Sequence, residues 1–180
     1  MKWMIASDLH GSALYCERVL EAFRREKADR LVLLGDLLYH GPRNPLPEGY
    51  DPRRCVELLT AVREQVLCVR GNCDSAVDQM VLPFPIMAEY ALLDLGKRLV
   101  YVTHGDRWDE DHPPLLPRGS VLLTGHTHIS ACHAKPDFVY MNPGSPSLPH
   151  DEGHRGYILL TAEGASFREL DGSEYRSYTF

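Results

Sequence analysis

At 180 residues, 44% of them hydrophobic and 24% charged, the chain can bury one sizeable core and lacks the composition of a disordered segment. Its formal net charge of −6 and the absence of any Lys/Arg run beyond Arg24-Arg25 and Arg53-Arg54 exclude the electrostatic footprint of a protein that grips long nucleic acid. No apolar run approaches the ~18 residues of a membrane span, and five cysteines without a Cys-x-x-Cys pair, behind an N-terminus that reaches Asp8 and His10 too early for a secretory signal, predict one domain over residues 1–180 in a reducing cytoplasm.

Met1 to Ser7 reads as a short buried strand, after which Gly11-Ser12 opens a helix with Leu14, Val19, Leu20 and Phe23 at helical spacing. Arg30 to Leu34 is a second strand, ended by Gly35-Asp36. A long proline-rich loop, His40 to Pro52, suggests a lid or interface, and a helical pattern then covers Pro52 to Val62. Gln65 to Arg70 is a third strand, ended by Gly71-Asn72. Three successive strand, polar turn, helix units predict a parallel sheet with right-handed crossovers.

The apolar stretch Met80 to Ile86 suits core packing better than a dimer contact, which leaves homo-oligomer formation open. Beyond it the rhythm becomes β-rich, with strands expected at Ile86 to Leu95, Arg98 to Thr103, Val121 to Thr124, Phe138 to Met141, Tyr157 to Thr161 and Ser166 to Leu170. An α/β half followed by a β-rich half predicts two packed sheets with helices outside.

Every strong polar motif directly follows one of these strands: Ser7-Asp8-Leu9-His10-Gly11, Gly35-Asp36, Gly71-Asn72-Cys73-Asp74, Thr103-His104-Gly105 and Gly125-His126-Thr127-His128. Strand carboxyl ends gather at one rim of an α/β sheet, so these residues can meet in space. Carboxylate, imidazole and amide oxygen suit divalent first-row metals. Asp36 is the natural bridge of a two-metal site, with Asp8, His10 and His128 on one ion and Asn72, His104 and His126 on the other.

The ordered blocks D-x-H, GD, GN[HC][DE], HG and GH-x-H resemble the calcineurin-like metallophosphoesterase superfamily over Ser7 to His128. Within it, the loop GDLLYHGPRNPLPEGY and the segments VRGNCDSAVDQM and NPGSPSLP are similar to the small bacterial phosphodiesterases of the YfcE type. This resemblance implies a four-layer α/β/β/α sandwich of two mixed sheets. It also implies two divalent ions, manganese first with iron, zinc or nickel as alternatives, and hydrolysis of small phosphodiesters by in-line attack of a metal-bound hydroxide. Phosphomonoesterase or dinucleotide phosphatase activity is the enzymatic alternative. The superfamily also contains the retromer subunit, an interaction scaffold, as a non-enzymatic alternative.

Cys73 replaces the His usual in the third block, which leaves proton donation to the leaving group in doubt and predicts a preference for good leaving groups. Asp74 is a candidate to orient a ligating imidazole. Arg43, Asn72 and Arg70 are candidates to contact the substrate phosphate, a solvated or ion-paired surface position being the alternative for each arginine. Asn142 to Ser145 is expected to pack near the site, whereas His40, His112, His133, His150 and His154 are assigned no metal.

Overall fold

In the computed structural model, which describes residues 1–150 and 153–180, the first half alternates strands and helices: β1 (Trp3–Ala6), α1 (Ala13–Glu26), β2 (Arg30–Leu33), α2 (Pro52–Thr60), β3 (Val66–Cys68) and α3 (Ala76–Val81). The helix starts are specified locally. Ser12 caps α1 by accepting the Tyr15 N–H, and Asp51 caps α2 ahead of Pro52 in its first turn. α3, absent from the sequence reading, is a single short segment nucleated by a reciprocal capping box between Ser75 and Asp78.

The second half supplies β4 (Tyr90–Asp94), β5 (Leu99–Thr103), β6 (Ser120–Leu123), β7 (Ser130–Ala134), β8 (Phe138–Pro143), β9 (Gly156–Leu160), β10 (Gly164–Glu169) and β11 (Glu174–Thr179). Two mixed sheets result, in the orders β11-β10-β9-β1-β2-β3 and β4-β5-β6-β8-β7. β1 is parallel to β2 and antiparallel to β9, so the chain returns to its first sheet after building the second.

Alternation along β1 shows how the layers are made. Met4 and Ala6 face the helices, where Cys16, Leu20, Cys55 and Leu59 meet them. Ile5 faces the other sheet, with Val32, Val102, Leu123, Met141 and Phe167 in the same inter-sheet core. Burial on both faces is why these strands read as continuous apolar runs.

The expected flanking helices all lie on the first sheet. The outer face of the second is covered instead by coil: Trp108 and Leu116 pack on Tyr101, Leu122 and Tyr140, and among the described residues no helix follows Val81. Pro113, Pro114 and Pro117 remove the backbone donors that a helix in this segment would need.

The strand expected from Ile86 begins only at Tyr90, because the preceding residues fold back on the helical side. There Leu82, Phe84 and Ile86 are buried as core, and the Gln79 side chain bonds the Leu82 and Phe84 carbonyls and the Ile86 N–H. β7 and β11 have no apolar run to announce them, because Ser-Ala-Cys-His-Ala and Glu-Tyr-Arg-Ser-Tyr-Thr are largely polar edge strands.

Phe167 is fully buried between the sheets. Phe167→Ala should lower unfolding stability by about 3–5 kcal/mol. Urea denaturation checks this, with a midpoint shift at unchanged slope expected.

Candidate metal centre

The carboxyl ends of β1, β2, β3, β5 and β6 converge, and the loops that leave them have unusual backbones. Among the described residues, six that are not glycine have positive φ, and five of these are candidate ligands: Asp8 (56°), His10 (49°), Asp36 (56°), His126 (64°) and His128 (60°). The left-handed conformation costs an L-residue about 1–2 kcal/mol, so the surrounding contacts must over-determine it.

Those contacts are present. The first loop is laced to the second by Asp8 N–H to the Gly35 carbonyl (3.1 Å), His10 N–H to the Asp36 carbonyl (2.9 Å) and Gly11 N–H to the Leu37 carbonyl (2.9 Å). Ser145 and Ser147 both donate to the Asp8 carbonyl at 2.8 Å. Asn142 donates to the Gly125 carbonyl at 2.6 Å and so holds the loop that carries His126 and His128. The Asn142 to Ser145 segment, which begins at the end of β8, thus packs against the site.

Asp74 has a different part from the one its position suggested. Its carboxylate reaches no imidazole. It accepts the N–H groups of Asp36 (2.8 Å), Leu37 (2.9 Å) and Gly71 (2.8 Å), buttressing the second and third loops, because at three residues beyond Gly71 it is turned back under them. Burial pushes its carboxyl above the ordinary value against the pull of these three donors.

Three imidazoles are fixed in one tautomer. His10 Nδ1 faces the Tyr39 carbonyl (2.9 Å), His104 Nδ1 the Leu34 carbonyl (2.7 Å) and His128 Nδ1 the Leu148 carbonyl (2.7 Å). A carbonyl only accepts, so each Nδ1 carries hydrogen, and each neutral ring aims an Nε2 lone pair inward. These lone pairs meet other lone pairs. His10 Nε2 lies 3.0 Å from His128 Nε2, and His104 Nε2 lies 3.0 Å from Asn72 Oδ1 and 3.3 Å from His126 Nδ1.

Asp36 Oδ2 stands between the two groups, 3.7 Å from His10 Nε2 and 3.5 Å from His104 Nε2. Asp8 Oδ1, fully buried, has no hydrogen-bond partner and lies 3.3 Å from His128 Nε2. Such a cluster is stable only around cations, whether protons or metal ions. Its donors are those of a divalent first-row ion, so the residues fit the group that the sequence implies.

All seven sequence-predicted ligands are thereby linked by close contacts. Asp8, His10 and His128 form one compact ligand group, and Asp8, Asp36 and His104 a second. Cys73 Sγ forms a third with His10 and Asp36, nearer to the centre than the sequence suggested.

Electrostatics follows from the same packing. Burial opposes ionisation of Asp8, but the imidazoles of His10 and His128, 3.6 and 3.3 Å from its Oδ1, hold its carboxyl well below the ordinary range. Burial likewise opposes a charge on His104, yet Asp36 and Asp8 push it up to about 10. The Cys73 thiol is pushed up to about 12 by burial and by the Asp36 carboxylate, so it stays protonated at neutral pH.

A cleft of about 550 Å³ opens over the centre, lined by Arg43, Asn72, Cys73, His126, His128 and His150 among others. Arg43, the candidate phosphate contact, is thus part of this cleft. Arg70 lines a smaller cleft with Arg107 and Trp108, which shares Asn72 with the first. His150, given no role from sequence, packs at a tilt against His128, ring centroids 4.6 Å apart, and bonds the Thr127 carbonyl. It lies outside the motif blocks, so only the fold reveals it.

Comparison with known proteins agrees with this geometry. The family model for the calcineurin-like phosphoesterase superfamily domain matches residues 1–165. Phosphodiesterase YfcE of Escherichia coli (strain K12) is 46% identical over 160 residues, 89% of this chain and 87% of that one. The solved structure of Yfce, a phosphoesterase from E. coli, superposes with a TM-score of 0.96 at 44% identity, covering 99% of each chain. Vacuolar Protein Sorting 29 from Cryptosporidium parvum, 18% identical with a TM-score of 0.66 over 99% of this chain and 98% of its own, shares the fold alone.

Two tests follow from the geometry. A Cβ on Gly125 would lie 1.9 Å from Ser7 Oγ and 2.6 Å from Asp8 Oδ2, so Gly125→Ala should weaken metal binding more than about tenfold at unchanged circular dichroism. Because His104 holds its proton up to about 10, metal uptake at neutral pH must displace it, and affinity should rise with pH. Calorimetry in buffers of different ionisation heats reads the released proton, and a pH-independent affinity would contradict the prediction.

Proposed function

The chain belongs to the calcineurin-like phosphoesterase superfamily, and from that premise we propose that it is a two-metal phosphodiesterase acting on small phosphodiesters. The facing lone pairs of His10 with His128 and of His104 with Asn72, on either side of Asp36, carry this reading. Asp8, His10 and His128 would hold one ion, Asn72, His104 and His126 the other, and Asp36 both. Manganese is the proposed metal, and the cytoplasm, where it is available to a reduced protein, the proposed location. The whole of residues 1–180 is proposed as one catalytic domain.

Two divalent ions bound there supply the Lewis acidity that activates water near neutral pH and offsets charge developing on the phosphoryl oxygens. The chain's own residues do the rest. The Nδ1 bonds to Tyr39, Leu34 and Leu148 hold three imidazoles in a fixed orientation, so no reorganisation is needed during reaction. Arg43 and Asn72 line the cleft where the phosphodiester must enter and would orient it.

Cys73 stands where superfamily members with His can help to protonate the leaving oxygen. A half-buried thiol is a weaker proton donor than an imidazolium, so in this reading Cys73 gives the leaving group little help. Aryl esters, whose oxides are stable, are therefore the favoured substrates, and unactivated alkyl esters the disfavoured ones.

Demetallated protein reloaded with manganese should hydrolyse bis(p-nitrophenyl) phosphate faster than p-nitrophenyl phosphate, the reverse order pointing to a phosphomonoesterase. Asp36→Asn should lower the rate at least about a hundredfold. An inactive but metal-replete wild type would favour the scaffold alternative. Cys73→His should raise turnover of alkyl diesters at least about tenfold, and an unchanged substrate range would remove Cys73 from the account.

A further inference from the structure

Beside the metal cleft lies a second cavity, of about 530 Å³, whose walls include Leu38, Tyr39, Tyr50, Val56, Val77 and Val81. The two share Cys73 as a common wall. We propose that this cavity is a subsite for one apolar, ring-sized ester substituent of the phosphodiester substrate. The proposal rests on the phosphodiesterase reading and adds the chemical class of the group beyond phosphorus.

The cavity is built onto the ligand loops. Leu38 lies two residues beyond Asp36, and the Tyr39 carbonyl accepts from His10 Nδ1 at 2.9 Å. Tyr50 packs so closely on Gly11, next to His10, that a Cβ there would lie 2.6 Å from the ring. Tyr50 also pairs with Ser12 in an isolated β-bridge. A group bound in the cavity is thus held in register with the phosphoryl position, as a specificity subsite requires.

The walls are mostly apolar. Of the polar side chains there, Ser75 and Asp78 are occupied with each other, Ser75 Oγ donating to Asp78 at 2.8 Å, and Arg53 is exposed to solvent. Asp78 also accepts the Ser75 N–H at 2.7 Å. The valines are not covered by this chain: Val77 is 68% exposed and Val81 51% exposed. A cavity of this size, apolar and next to a reactive centre, matches the usual dimensions of a small-molecule site. An aromatic ring against Tyr39 and Tyr50 would bury the exposed valine surface.

The test uses two symmetric diesters of equal charge, dimethyl phosphate and diphenyl phosphate, bound to the manganese-loaded protein and measured by calorimetry. Symmetry makes it immaterial which arm enters the cavity. Diphenyl phosphate should bind at least about tenfold more tightly, as burial of one ring-sized apolar group predicts. Val77→Asp and Val81→Asp, at exposed positions that tolerate a carboxylate, should each collapse that ratio toward one.

Equal affinities in the wild type, no binding of diphenyl phosphate, or a ratio untouched by both variants would overturn the subsite. So would a wild-type dimer in sedimentation that Val77→Asp dissociates without changing the ratio, since a second copy would then cover this face. Failure of the catalytic reading is separate: it appears as no metal-dependent diester turnover, whatever the affinities.

Discussion

Lone pairs that point at one another need a cation between them. In this protein the condition arises twice, at His10 with His128 and at His104 with Asn72, around the buried carboxylates of Asp8 and Asp36. Each group alone is an ordinary strand-end residue. Together they form an anionic, donor-poor cage that only protons or metal ions make tolerable in a dry interior. Much of the remaining structure keeps that cage from relaxing.

Relaxation is prevented mainly by backbone. Five left-handed non-glycine residues would each prefer another conformation, and they are held by inter-loop hydrogen bonds, by the Asp74 buttress and by the paired hydroxyls of Ser145 and Ser147 on the Asp8 carbonyl. Gly71 and Gly125 contribute by having no side chain: a Cβ on either would strike Asp36 or Asp8. The strain is placed at strand ends, where two packed sheets supply the rigidity to sustain it.

Much of this was legible in the sequence. Asp8, His10, Asp36, Asn72, His104, His126 and His128 each follow an apolar run, so strand periodicity and residue type together identified them and the two-sheet architecture. What stayed hidden depends on tertiary direction. Asp74 has a ligand partner's position but turns under the loops, and His150 reaches the cleft through a fold-back that no local pattern announces. The short α3 and the polar edge strands β7 and β11 lack a strong periodic signal. Among the described residues, the outer face of the second sheet is covered by the proline-rich coil that carries Trp108 and Leu116, which has no periodic pattern to reveal it.

The most direct test of the central claim is an anomalous difference map from crystals of the manganese-loaded protein. The account predicts two peaks about 3.5–4 Å apart, one among Asp8, His10 and His128 and the other among Asn72, His104 and His126, with Asp36 between them. A single peak, or ions bound away from Asp36, would contradict it.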